Sequence, residues 1–193
     1  MSSKKLWVSL SLVVLVGIII IGYRQRGKSL ERSLLFRNAI FTHAISEIGL
    51  TELHMAAMQG DINRIAKLLK EGANVNSKCN DGSTPLYLAA AFGQLKSLEL
   101  LIENGADLET KNEKGNTPLA AAIIGGQPAI VEVLLSHGAR VDVTNKDGQT
   151  PLDVALACKR NMSASGSLPK AFFSNYLKNL DKCAQVLREH GTK

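Results

Sequence analysis

Four histidines, three cysteines and scattered carboxylates are the residues that could do chemistry in this chain. Acid–base or nucleophilic catalysis needs such groups within hydrogen-bond reach, and metal binding needs them at ligand spacing. His43, His54, His137 and His190 are far apart. Cys79, Cys158 and Cys183 make no zinc or redox motif, and their odd number argues against a disulfide framework, although a Cys158–Cys183 bridge stays open. Asp147 and Asp153 do not form a carboxylate pair by spacing. No phosphate-cradling glycine motif and no nucleophile elbow occurs. The expectation is a chain that is not an enzyme, with no catalytic residue, no cofactor, no metal and no small-molecule substrate. His137 and His190 each precede a glycine at an expected helix end, where a partly cationic ring is favourable. His54 is expected to bond the turn beside it.

The elements that hold these residues recur. Thr84–Ala90 reads TPLYLAA, and the motif returns as TPLAAAI from Thr117, TPLDVAL from Thr150 and TELHMAA from Thr51. The threonines are spaced by 33 three times in succession, and a fixed period of this size marks a repeat architecture. A glycine precedes each threonine by two residues, at Gly49, Gly82, Gly115 and Gly148. Gly60, Gly93 and Gly126 follow nine residues after it, and Gly-Ala pairs stand at Gly72, Gly105 and Gly138. Apolar runs lie in register at Ile65–Leu69, Leu98–Ile102 and Val131–Leu135.

Each mark has a physical role. Threonine caps a helix by accepting from a first-turn N–H, worth about 1 kcal/mol. Pro85, Pro118 and Pro151 suit the first helical position, and Glu52 suits the positive helix start. Gly-Ala ends the next helix in the left-handed conformation. Asp81-Gly82, Lys114-Gly115 and Asp147-Gly148 supply turns. One unit is therefore a turn, a short helix, a tight loop, a longer helix and a projecting loop.

At these positions the chain resembles the ankyrin repeat, G-x-T-P-L-H-x-A-A with a terminal Gly-Ala, over about Ile48 to Gly191. The resemblance implies an all-α solenoid of stacked helix pairs with hairpin loops at one side, acting as a binding module without catalysis. Only His54 keeps the pattern's histidine; Tyr87, Ala120 and Asp153 replace it. The resemblance also implies that ligands meet the hairpin tips and the concave face of the first helices. Candidate partner-binding residues are Lys78, Asn112, Glu113 and Asn145 at the tips, and Met58, Phe92 and Ile124 as an apolar row, open against the alternative that these three fill gaps between repeats.

Outside the repeats, Leu6–Tyr23 contains eighteen residues without a charge. As a helix this spans about 27 Å, near the thickness of a bilayer core, with Trp7 and Tyr23 at its interfaces. A signal anchor over residues 1–28 is the expectation, against a cleaved signal peptide, because Arg24-Gln25-Arg26 follows instead of a small-residue cleavage site. Residues 1–40 hold seven bases and one acid and so carry the whole net charge of +6. The remainder is balanced, so no basic stripe for nucleic acid is expected. The C-side bases Arg24, Arg26, Lys28, Arg32 and Arg37 outnumber Lys4 and Lys5, which favours repeats in the cytoplasm. Lys4-Lys5 before an apolar run is also the arrangement of an export signal. Residues 29–47 read as a linker and capping helix, or as an interfacial helix beside the membrane.

The fourth unit within 48–193 carries an insertion of twenty residues, at about 159–179. Asn161–Pro169 reads as a flexible loop. The last helix reads as about twice the usual length, with Phe172, Phe173 and Tyr176 as a patch that either caps the last repeat or anchors a partner. Function is expected to be membrane-tethered protein–protein interaction through residues 6–23 and the repeats, with a structural or protective role outside a membrane as the alternative.

Overall fold

In the computed structural model, the described residues are 48–164 and 170–191, with the side chains of 162–164 and 170–173 excepted. The membrane segment expected at 6–23, with Trp7 and Tyr23, and the linker and capping segment at 29–47 lie outside them. Among the described residues no helix is long and apolar enough to cross a membrane.

The described residues form four helix pairs. The inner helices are α1 (Glu52–Gln59), α3 (Pro85–Ala91), α5 (Pro118–Ile124) and α7 (Pro151–Ala164). The outer helices are α2 (Ile62–Lys70), α4 (Leu95–Glu103), α6 (Pro128–Ser136) and α8 (Lys170–Gly191). Each inner helix packs on its own outer partner and on the next inner helix, and the outer helices stack likewise.

The expected caps are present. Thr51, Thr84 and Thr117 accept from the backbone N–H three residues on, and proline opens α3 and α5. Outer helices end as Schellman turns: Ala106 N donates to Leu101 O at 3.0 Å and Gly105 N to Ile102 O at 2.9 Å, which satisfies carbonyls left over at a helix end.

Stacking is carried by small residues on inner helices and branched ones behind them. Ala56, Ala57, Ala89, Ala90 and Ala122 are buried, so neighbouring helices approach closely. Leu53, Leu86 and Leu119 recur at one position, and Leu101 and Leu134 at another, all buried. In α8 the same register is met by Ala184 and Leu187, with Leu180 and Cys183 also buried against α6 and α7.

The loop expected from Asn161 begins later than its composition suggests, because α7 runs on to Ala164. No glycine or proline interrupts the chain between Pro151 and Gly166. The lengthened helix also lies along α8, and Lys159 pairs with Asp181 across them. The last helix has 22 residues where the other outer helices have nine.

That extra length meets the loop between α5 and α6. The Tyr176 hydroxyl donates to Ile124 O at 2.7 Å, and Asn179 donates to Gly126 O at 3.0 Å. Gly126 has φ 64°, and a Cβ there would stand 2.8 Å from the Tyr176 ring. In the first repeat the equivalent carbonyl, Met58 O, accepts from Gln94 Nε2 at 3.0 Å. The long helix therefore replaces, with a tyrosine, a glutamine clamp used earlier in the stack.

Leu134→Ala removes a fully buried side chain between α6 and its neighbours. It should cost about 2–5 kcal/mol, read as a lowered urea midpoint. An unchanged midpoint would mean that this layer does not carry the stack.

Candidate functional site

The projecting loops are built by hydrogen bonds inside each turn and between turns. Cys79, Asn112 and Asn145 occupy one repeat position, and each backbone N–H closes its turn onto Ser83 O, Asn116 O or Gln149 O at 3.0–3.1 Å. Successive tips are tied together: Asn80 N donates to Ile48 O, Glu113 N to Asp81 O and Lys146 N to Lys114 O. Gly115 sits at φ 78° with Lys146 N only 2.7 Å from where a Cβ would lie, so this crossing needs glycine.

Two of the tip candidates are thereby committed to structure. Asn112 Oδ1 accepts from the N–H groups of Lys114 and Asn116 at 3.0 Å. Asn145 Oδ1 accepts from Asp147 and Gln149, while its Nδ2 donates to Asn116 Oδ1 and Gln149 Oε1. Lys78 and Glu113 are exposed.

In the first turn a cysteine stands where the other two have asparagine. Asp81 supplies the missing acceptor, taking Ser83 N at 3.0 Å and the Cys79 thiol at 2.9 Å. Burial opposes ionisation of Asp81, yet bonds from Cys79 and Ser83 outweigh it and hold the carboxyl below its usual range. Burial, reinforced by Asp81, pushes the Cys79 thiol up to about 12, so it stays protonated and unreactive. All three cysteines are free, and among the described residues no cluster of three or more metal-ligating side chains occurs.

His54 does more than bond its own turn. Thr51 N lies 3.2 Å and Thr51 Oγ1 2.8 Å from Nδ1, while Nε2 lies 3.0 Å from Ser83 O in the next repeat. The carbonyl requires Nε2 to carry the proton, leaving Nδ1 to accept. Burial lowers the His54 pKa below 6.5, and the Ser83 carbonyl offsets this only in part. Asp153 copies the local half of the arrangement, accepting from Thr150 N at 2.9 Å and Thr150 Oγ1 at 2.6 Å. His137 Nδ1 and His190 Nδ1 instead bond Val133 O and Val186 O, four residues back at helix ends.

The apolar row is shorter than its spacing suggests. Met58 is 5% exposed and belongs to the core. Phe92 is half-buried at the end of α3, and Ile124 is 40% exposed at the end of α5. Met58 and Ile124 share a repeat position that Ala91 fills between them, while Phe92 stands one residue further on, so the three do not line up at one position. Tyr176 is half-buried and turned onto the α5–α6 loop. Phe172 and Phe173 lie within the backbone of α8, and their side chains are outside the described set.

Sequence reasoning missed the side chains that bridge loops. Asn76 Oδ1 accepts from Asp107 N at 2.8 Å, and Glu109 Oε1 accepts from Arg140 N at 2.8 Å. The two bonds stand at equivalent positions 33 residues apart, but Asn76 becomes Glu109 and Asp107 becomes Arg140, so only the Gly-Gln pairs at 93–94 and 126–127 gave a repeated signal.

A family model described as "Ankyrin repeats (3 copies)" matches residues 28–112. A second, "Ankyrin repeats (many copies)", matches residues 101–155. No curated protein matches the chain.

Two outcomes test the hydrogen bonding. A histidine whose folded pKa is lowered stabilises the fold above its unfolded value of about 6.5 and loses that contribution as pH falls through the folded value. Urea midpoints should therefore drop on acidification below that point, and His54→Asn should flatten the profile in this window. Cys79→Asn restores the turn acceptor and should raise the thermal midpoint, by the equivalent of about 0.5–1.5 kcal/mol. A lowered midpoint would show that the cysteine's packing matters more.

Proposed function

Because the chain belongs to the ankyrin-repeat family, we propose that it is a protein-binding module held at a membrane by its N-terminal segment, with no catalysis of its own. The observation that carries the binding reading is the arrangement of the loops. Successive tips are fixed to one another by backbone bonds, yet they present Lys78, Glu113 and Lys146 outward. A rigid platform with variable, exposed side chains binds a partner at low ordering cost. Phe92 and Ile124, at the ends of α3 and α5, supply the apolar part of that surface.

The membrane part of the reading rests on Leu6–Tyr23, uncharged and bounded by Trp7 and Tyr23. The excess of bases after it, Arg24, Arg26 and Lys28, supports repeats on the cytoplasmic side. A tether would raise the effective concentration of any partner at the same membrane. Phe172 and Phe173 remain candidates for a second contact.

Photo-crosslinking in intact cells tests this. A photoreactive residue at Phe92 or Ile124 should give a discrete adduct in the membrane fraction, and one at Glu99 on the outer face of α4 should not. Ile124→Lys with Phe92→Asp should abolish the adduct formed from a probe at Glu113, with helical content unchanged. Adducts that survive the double change would sink the concave-face reading. An impermeant maleimide that labels a cysteine added after Lys193 in intact cells would place the repeats outside instead.

A further inference from the structure

His54 has both ring nitrogens committed, and they face different units. Nδ1 lies 3.2 Å from Thr51 N in its own turn, and Nε2 lies 3.0 Å from Ser83 O at the edge of the next repeat. The residue is 0% exposed. The two bonds need opposite roles, one nitrogen accepting and the other donating, and only the neutral ring supplies both. A protonated ring keeps its bond to Ser83 and can still donate to Thr51 Oγ1, 2.8 Å away. It turns that second N–H toward the Thr51 N–H, however, and places a charge away from water.

The surroundings do little to hold that charge. Burial disfavours the charged ring more than the carbonyls of Ser83 and Ser77 and the Asp81 carboxylate favour it. Asp81 Oδ1 already accepts from the Cys79 thiol and from Ser83 N. On α1, Glu52 pairs with Arg64. On α2, Asp61 caps Arg64 N, Lys67 pairs with Glu71, and Lys70 is exposed. No residue of α3 is charged, and burial pushes its Tyr87 up to about 12. The later repeats lack the histidine. Tyr87 stays neutral at its position, Ala120 has no proton to gain, and bonds from Thr150 hold the Asp153 carboxyl below its usual range. Mild acid therefore acts on one junction of the stack.

We propose that His54 is an acid-sensitive latch between the first and second repeats, and that its protonation opens this junction while the other repeats stay stacked. A repeat array can open at one end because each unit contacts only its neighbours. In the open form water reaches the ring, which then takes up a proton as an ordinary histidine does. Three units remain together, the number that a stack needs, and Phe92 and Ile124 lie within them. The latch depends neither on what that surface binds nor on the membrane.

His43→Gln, His137→Gln and His190→Gln together leave His54 as the sole histidine. Hydrogen exchange of this full chain in mild detergent is then followed from about pH 7.5 to about pH 5. After correction for the intrinsic rate, protection of the α1 amides should fall about tenfold for each pH unit below about 6.5, and level off once the ring of the closed form is also protonated. The α5 amides should keep their protection. Adding His54→Asn should remove the pH dependence. Where asparagine leaves α1 unprotected already at neutral pH, the ring of the parent chain decides: its nitrogen-15 shifts should show the proton on Nε2 at neutral pH, and its titration should coincide with the opening of α1. Equal loss of protection in α1 and α5, an α1 indifferent to acid, or a ring that titrates without opening α1 overturns the proposal.

Discussion

The inner helices α1, α3 and α5, of seven or eight residues, cannot persist alone in water, because nucleation costs more than so few hydrogen bonds return. Everything else in the repeat unit follows from that constraint. Apolar packing alone would allow one helix pair to slide on the next. The polar crossings prevent it: Gln94 to Met58 O, Asp107 N to Asn76, Arg140 N to Glu109, and His54 to Ser83 O. Each joins groups 29–36 residues apart, so register is fixed repeat by repeat.

Much of this was legible in the sequence because the caps act locally. Thr51, Thr84 and Thr117 announce the inner helices through a bond only three residues long, and the Gly-Ala pairs end the outer helices through bonds of three and five residues. What was not legible depends on contacts between units. Met58 and Ile124 stand at one repeat position, yet one is core and the other solvent-facing, since burial depends on what the next unit places above it. The asparagines of the tips looked like free polar groups and are acceptors for their own turns. The onset of the inserted loop was read from small polar residues that α7 absorbs as its last turn.

The surface that remains for recognition is correspondingly small. Once the asparagines, Met58 and Tyr176 are assigned to holding the stack, Lys78, Glu113, Phe92 and Ile124 are what the expected site retains among the described side chains. Such a division is physically reasonable: bonds that rigidify the loops are paid in advance, and contact residues need not be ordered on binding.

The tyrosine clamp has a kinetic side. Gln94 reaches back 36 residues to its carbonyl, whereas Tyr176 reaches back 52 to Ile124. A longer closed segment loses more chain entropy when its ends meet, here by about 0.3 kcal/mol. The clamp on the α5–α6 loop therefore closes over a longer stretch of chain than the one on the α1–α2 loop. The third repeat's loop waits, uncovered, for a residue synthesised half a hundred positions later.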